Sequence, residues 1–380
     1  MVVTVMLEEL HFFPGFCLLV VGLGLQFYVV RRLSGSFRRG GLVLGVAAAS
    51  TALLWLGYLL EFNGVARHFP VWATWLQCAS IVETLCLVGA SIAMLGGKAA
   101  PRFQPARRDF LHAAGTSLCL APVAATAFGI VTRNRFQVSE VRIPVPDLPK
   151  DLNGLRIVQL SDIHLSPFLS EREFARAVDM ANETRAQIAL VTGDLITRQG
   201  DPLDACLTQL GRLRGDAGVF GCLGNHEIYT ETEEYVTAEG RRLGIDFLRQ
   251  EARELGFGGA RINLAGVDYQ RKRSPYLKGA ERLNAPGAVN ILLSHNPDVF
   301  PVAAAQGFEV TIAGHTHGGQ VDFELLHQHI NAARYFTPYV RGLYREGKSS
   351  VYVSSGLGTI GVPIRIGAPP EISLLHLCAT

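Results

Sequence analysis

The hydrophobic and polar positions of this chain fall into two textures that meet near residue 132. Before that point apolar residues run on in four stretches, at about 12–30, 41–60, 71–95 and 111–131. Each is close to or longer than the roughly 20 residues that an α-helix needs to cross a bilayer core of about 30 Å. They predict an all-α region of four transmembrane helices over 1–132. The first stretch follows Glu8 and Glu9 rather than a basic start and lacks a small-residue cleavage site, so it is read as a retained span rather than a signal peptide.

After residue 132 the pattern becomes short buried runs separated by helical periodicity. Five runs stop at a polar residue: Leu155 to Asp162, Ala186 to Asp194, Gly218 to Asn225, Ala288 to His295 and Phe308 to His315. Each reads as a buried strand that ends in a loop. Phe174, Val178 and Ala181 recur at helical spacing between the first two runs, and Leu203, Leu207, Leu210 and Leu213 do so between the second and third. This is the strand, helix, strand alternation of an α/β domain. Ser349 to Gly356 and Pro370 to Leu377 predict two more strands. The resulting division is a transmembrane region at 1–132, a linker at 133–154 and an α/β domain at 155–380.

Composition and charge then narrow the classes. Hydrophobic residues make up 48% of the chain and mean hydropathy is +0.23, an excess that sits in the first 132 residues. The formal net charge of +2 gives no support for nucleic acid as a partner. The basic residues Arg31, Arg32, Arg38 and Arg39 follow the first stretch, and Lys98, Arg102, Arg107 and Arg108 follow the third. The positive-inside rule therefore puts both loops in the cytoplasm and the α/β domain outside it, against the opposing charges of Arg133, Arg135 and Arg142. Ala106 to Gly115 resembles a twin-arginine export signal, although the positive-inside pattern accounts for the same arginines. Glu83, within the third stretch, reads as an interhelical hydrogen-bonding group. Of the seven cysteines, Cys17, Cys78, Cys86 and Cys119 lie in the apolar stretches; Cys206, Cys222 and Cys378 form neither a disulfide framework nor a zinc ribbon.

The strand ends carry the candidate chemistry. In α/β sheets ligands bind beyond the carboxyl ends of strands, and there stand Asp162 and His164, Asp194, Asn225 and His226, His295, and His315 with His317. Singly, each has an ordinary explanation as a cap, a turn or a buried imidazole. Five of the eleven histidines converging on five strand ends do not. Imidazole, carboxylate and amide oxygen without thiolate suit two divalent ions of the Mn, Fe or Zn type. Two such ions beside two aspartates keep positive charge, attract phosphate and lower the pKa of bound water for in-line attack.

The ordered set "SDIH", "TGD", "GNHE", "SHNPD" and "GHTHGGQ", spread over Leu155 to Leu377, resembles the calcineurin-like metallophosphoesterase superfamily, in particular its membrane-attached bacterial members. The closing "GLGTIGVPIRIGAPPEI" at Gly356 to Ile372 strengthens that likeness. The resemblance implies a four-layer αββα sandwich. It also implies one metal on Asp162, His164 and His317, a second on Asn225, His295 and His315, with Asp194 bridging and His226 acting on the phosphoryl oxygens or the leaving group. Arg365 in the closing motif is a candidate substrate contact, with a strand-edge salt bridge as its rival role. His327 and His329 read as a solvated loop. The Asp-Arg-Gly of Ser/Thr phosphoprotein phosphatases is replaced here by "GDLITRQGD", so a protein phosphatase is not expected. The expected activity is hydrolysis of a phosphodiester or pyrophosphate in a lipid or envelope molecule; the rival is a non-catalytic metal-binding membrane sensor.

Overall fold

A computed structural model describes residues 20, 23–29, 31, 50, 56, 70–99, 105–271, 276–325 and 328–380. The chain divides into two compact units, 1–130 with 361–363, and 131–360 with 364–380.

In the first unit, helix α1 spans Pro70–Ala99 and helix α2 spans Pro105–Thr132. Within them Thr74–Ala93 and Asp109–Thr132 are long and apolar enough to cross a membrane, by length and composition. The predicted spans at 12–30 and 41–60 lie mainly outside the described residues. Residues 23–29 are helical, and Gln26 Nε2 donates to Glu83 Oε1 at 3.3 Å, the interhelical bond expected of that glutamate.

The second unit is built on two six-stranded sheets. The first uses β1 (Gln137–Val145), β2 (Arg156–Leu160), β3 (Ile188–Thr192), β4 (Val219–Cys222), β5 (Ile245–Phe247) and β14 (Glu371–Ala379), in the order β1-β14-β2-β3-β4-β5. The second uses β6 (Glu251–Phe257), β7 (Ala260–Gly266), β8 (Val289–Leu293), β9 (Val310–Ala313), β12 (Gly342–Glu346) and β13 (Ser349–Val353), in the order β12-β13-β9-β8-β7-β6. Strands β2 to β5 run parallel, as do β7, β8, β9 and β13. A separate hairpin joins β10 (Asp322–Leu325) to β11 (Gln328–Asn331). Residue 329, expected on a loop, therefore lies in a strand; residue 327 is outside the described residues.

Alternation along the strands sends side chains to two cores. Ile157, Ile188, Leu190 and Phe220 of the first sheet meet Ile262, Leu264, Ile291, Val310 and Ile312 of the second in one cluster. On the other face of the first sheet, Val158, Leu160, Ala189 and Val191 pack against helices α3 (Glu171–Glu183), α4 (Leu203–Leu210) and α6 (Glu233–Arg242) through Phe174, Val178, Leu207 and Val236. Helix α5 (Asn225–Tyr229) is a short turn between β4 and α6. On the far face of the second sheet, Ala265, Leu292, Val299, Ala303 and Phe308 form a third cluster with helix α7 (Phe300–Ala305). Helix α3 begins at a complete capping box, Ser170 with Glu173, which fixes where that helix starts.

The stretch 133–154, expected to be a linker, contains β1, which pairs in parallel with β14 over nine residues. Only Ile143 and Val145 of this strand are fully buried, and Pro144 sits in it. That is the signature of an edge strand, whose polar alternation imitates a loop.

Candidate metal centre

The carboxyl ends of β2, β3 and β4 from one sheet and of β8 and β9 from the other open on the same place. The sequence reading of successive strand ends therefore resolves into two sheets contributing halves of one site. Asp162, His164, Asp194, Asn225, His295 and His317 are buried there, and His226 and His315 are partly exposed. Three overlapping groups have ligand atoms within 4.8 Å of one another: Asp162, His164 and His317; His164, Asp194 and His226; Asp194, His295 and His315. His295 Nε2 lies 3.0 Å from Asp194 Oδ2, His164 Nε2 3.5 Å from the same oxygen, and His317 Nε2 3.4 Å from Asp162 Oδ1. Asp194 thus belongs to two of the groups, and His164, which it faces at 3.5 Å, links them to the third.

The backbone is bent to achieve this. Asp162, His164, Asp194, His315 and His317 all have positive φ, between 46° and 77°. For non-glycine residues that conformation is uncommon and costs about 1–3 kcal/mol each, and such strain concentrates at functional sites. Two glycines are required for close approach: a Cβ on Gly224 would enter the Asp194 carboxylate, and one on Gly314 would enter Ser161 and Asp162.

Buried polar groups test whether metals fit. Asn225 Oδ1 is buried without a hydrogen-bond partner, an arrangement native proteins avoid unless something else satisfies the atom, and the buried Nε2 atoms of His164 and His295 face Asp194 Oδ2 at 3.5 and 3.0 Å. The opposite ring nitrogens are tied outward, His295 Nδ1 to the Thr192 carbonyl at 2.6 Å and His164 Nδ1 to Thr197 Oγ1 at 3.2 Å. His226 Nδ1 is held at 2.6 Å by the Thr197 carbonyl. Tying one nitrogen fixes the tautomer and leaves the other for a cation. Nitrogen and oxygen donors without sulfur fit divalent ions.

Charge in the site is uneven. Burial favours the neutral form of Asp194, yet His295, His226 and His164 around it hold its carboxyl well below the usual range. Burial pushes Asp162 up. Burial lowers His226 to about 4 and His315 to about 3, and drives His317 well down. Burial also opposes a charge on His295, but Asp194 and Asp162 outweigh it and raise the imidazole to about 10.

Arg365 is not where a substrate contact would be. It is 2% exposed, and its guanidinium donates to the carbonyls of Gly358, Ser355, Ala368 and His317. It clamps the closing motif to the His317 loop from behind. Rigid planar donors that match several carbonyls at once are what a guanidinium supplies and an ammonium cannot.

Three residues that contact the cluster or its loops escaped the sequence reading. Glu227 accepts from the backbone N–H groups of Asp194 (3.0 Å), Leu195 (2.8 Å) and Gly224 (2.7 Å) and so joins the loops after β3 and β4. Its place three residues after Gly224, at the start of α5, is a capping-box position that could have revealed it. Thr197 holds two imidazoles, and its own N–H is held by Asp201 Oδ2 at 3.0 Å. Tyr269 lies with its ring centroid 5.4 Å from that of His315, and no motif marks it.

A two-sheet α/β sandwich with a cluster of His, Asp and Asn at facing strand ends defines the class of metal-dependent hydrolytic domains. Residues 155–319 match the family described as calcineurin-like phosphoesterase. The chain is 34% identical over 256 residues to a zebrafish (Danio rerio) transmembrane protein with metallophosphoesterase domain, covering 63% of this chain and 57% of that one. It is 32% identical over 248 residues to an uncharacterised metallophosphoesterase of Campylobacter jejuni, 63% of each chain. It is 29% identical over 287 residues to the uncharacterised metallophosphoesterase YkuE of Bacillus subtilis, 72% of this chain and 98% of that one. The chain thus spans a little over half the length of the zebrafish transmembrane relative it matches.

Proposed function

We propose that this chain is a membrane-anchored phosphohydrolase that works with two divalent metal ions on a phosphodiester or pyrophosphate of a lipid or cell-envelope molecule. The observation that carries the reading is the set of three overlapping ligand groups, linked in a chain by His164 and Asp194. Asp162, His164 and His317 would hold one ion, Asn225, His295 and His315 the other, and Asp194 would bridge. When bound, Mn, Fe or Zn ions supply Lewis acidity and an activated water for in-line attack on phosphorus.

The chain's own residues do the rest. The Thr192 carbonyl holds His295 Nδ1 and the Thr197 hydroxyl contacts His164 Nδ1, so both rings are oriented toward the cluster before anything binds. His226 is held neutral by burial, with Nδ1 committed to the Thr197 carbonyl. The negative charge of a bound phosphoryl group beside it would raise its proton affinity, so it becomes an acid for the leaving oxygen only with substrate present.

The lipid or envelope substrate is supported by the two helices of membrane-spanning length and by relatives whose names describe transmembrane proteins. The basic loops support an extracytoplasmic domain. An export assay on Arg107→Lys with Arg108→Lys tests the twin-arginine element, which falls if the domain is still exported. The activity test is turnover by the full chain in detergent with Mn²⁺, comparing a soluble diester, a monoester, a pyrophosphate and a phospholipid. Turnover of the diester or pyrophosphate is expected, with preference for the lipid form. Bound metal without turnover of any substrate would favour the sensor reading instead, and turnover of soluble esters alone would remove the lipid.

A further inference from the structure

An imidazole that holds a cation almost always has its second nitrogen tied in place. His164 and His295 are tied through Nδ1 and turn a buried Nε2 toward Asp194 Oδ2. His315 is built the other way round. Its Nε2 lies 3.4 Å from the hydroxyl of Tyr269, which leaves Nδ1 for the group it forms with Asp194 and His295. Its backbone N–H is meanwhile held by both carboxylate oxygens of Asp162, at 2.9 and 3.1 Å. With the main chain pinned, the contact at Nε2 and the edge-on His295 ring, 5.0 Å away between centroids, bear on the ring orientation.

The fold explains why Tyr269 is there. Strands β7 and β8 are parallel, with Gly266 opposite Leu293, so the loop that follows β7 emerges at the same sheet edge as His295. Gln270 anchors this loop: its carbonyl accepts from Asn296 Nδ2 at 2.7 Å and its Oε1 from the Leu277 N–H at 3.0 Å. The Tyr269 ring lies 5.4 Å from His315 and 6.0 Å from His295, centroid to centroid, and walls that side of the cluster.

We propose that Tyr269 is a positioning residue of the metal centre: its hydroxyl accepts the Nε2 proton of His315 and selects the tautomer whose Nδ1 faces Asp194 and His295. This rests on the metal-centre reading given above. At 3.4 Å the contact is long for a hydrogen bond. A cation on Nδ1 draws charge from the ring and makes Nε2–H a stronger donor, so loading the site tightens it. A phenol differs here from the Thr192 and Thr197 carbonyls that serve other rings. It accepts the imidazole proton and keeps its own, which burial holds on the oxygen by pushing the phenol up.

The experiment uses the full chain in detergent, metal-free and then titrated with Mn²⁺ by calorimetry, as wild type and as Tyr269→Phe. Phenylalanine keeps the wall and removes only the hydroxyl. One of two Mn²⁺ equivalents is expected to weaken by about 10- to 100-fold, the range measured for loss of such outer partners, while the other is unchanged. Nitrogen-15 spectra of the metal-free imidazoles should place His315 in its Nε2–H tautomer in wild type and in a mixture in the variant, a signature that a wall alone would not move. Equal binding of both equivalents by the variant, or an unchanged His315 tautomer, overturns the proposal alone. A wild type that binds no Mn²⁺ overturns the metal-centre reading and this proposal with it. Absent turnover alongside normal Mn²⁺ binding counts only against the hydrolase.

Discussion

Glu227 offers a test of how the site is held together. Its Oε2 accepts from the N–H groups of Asp194 and Gly224, and its Oε1 accepts from Leu195. Burial and the nearby Asp194 push this carboxyl up, and the three N–H donors oppose them. In Glu227→Gln the amide oxygen can take the place of Oε2 and keep two bonds. Its NH₂ then faces the Leu195 N–H, donor against donor. Loss of one charge-assisted bond, with a buried donor left unpaired, costs about 2–5 kcal/mol. For a domain of this size each kcal/mol moves the thermal midpoint by about 2–4 °C, so a drop of roughly 5–15 °C is expected. The assay is thermal unfolding of the detergent-solubilised full chain by near-UV circular dichroism, with and without Mn²⁺. Mn²⁺ affinity should fall as well, because the lost bond releases the Asp194 loop. A midpoint within about 2 °C of wild type, outside the effect of a lost buried bond, would refute the reasoning and place a proton on Glu227.

Three further outcomes follow from the same geometry. His315→Ala and His317→Ala should each lower turnover by at least about a hundredfold and remove different metal equivalents, read by metal analysis; loss of the same equivalent from both would refute the two-ion split. Arg365→Lys should lose about 3–5 kcal/mol of stability with KM unchanged in whatever folds, since an ammonium cannot span four carbonyls; a raised KM at unchanged midpoint would return Arg365 to the substrate. His295, charged in the metal-free protein up to about 10, must release its proton to bind a cation, whereas His226 and His315 are already neutral near pH 7. Mn²⁺ affinity should therefore rise about tenfold per unit from about pH 6 to 8, and an affinity flat over that range would refute this linkage.

Much of the α/β unit could be read from continuous buried runs, because central parallel strands are apolar on both faces. All five runs that end at site residues are strands, and so are the two predicted near the C-terminus. Seven of the described strands escaped: β1 at a sheet edge, β6 with its alternating exposure and the three-residue β5 have diluted patterns, while β7, β10, β11 and β12 were also unmarked, β7 although six of its seven residues are buried. Helix α6 was hidden in the charged "EEYVTAEGRR", of which only Val236 and Gly240 are buried. The cysteines described are all free, in keeping with the absence of a framework in their spacing.

The sequence by itself determined the donors: which residue types stand at which strand ends, without thiolate, in an order specific enough to point to a family. Strand ends are local, and a polar residue closing an apolar run is visible in one dimension. Tertiary structure alone decided that the ends belong to two sheets facing one another, that Arg365 is spent behind the site, and that Glu227, Thr197 and Tyr269 set the orientation of the donors. Those roles depend on contacts between segments far apart in the chain, such as Tyr269 with His315, and no periodicity records them. The residues 315 and 317 that stand one apart in "GHTHGGQ", both at positive φ, fall into different ligand groups, His315 with Asp194 and His295 and His317 with Asp162 and His164.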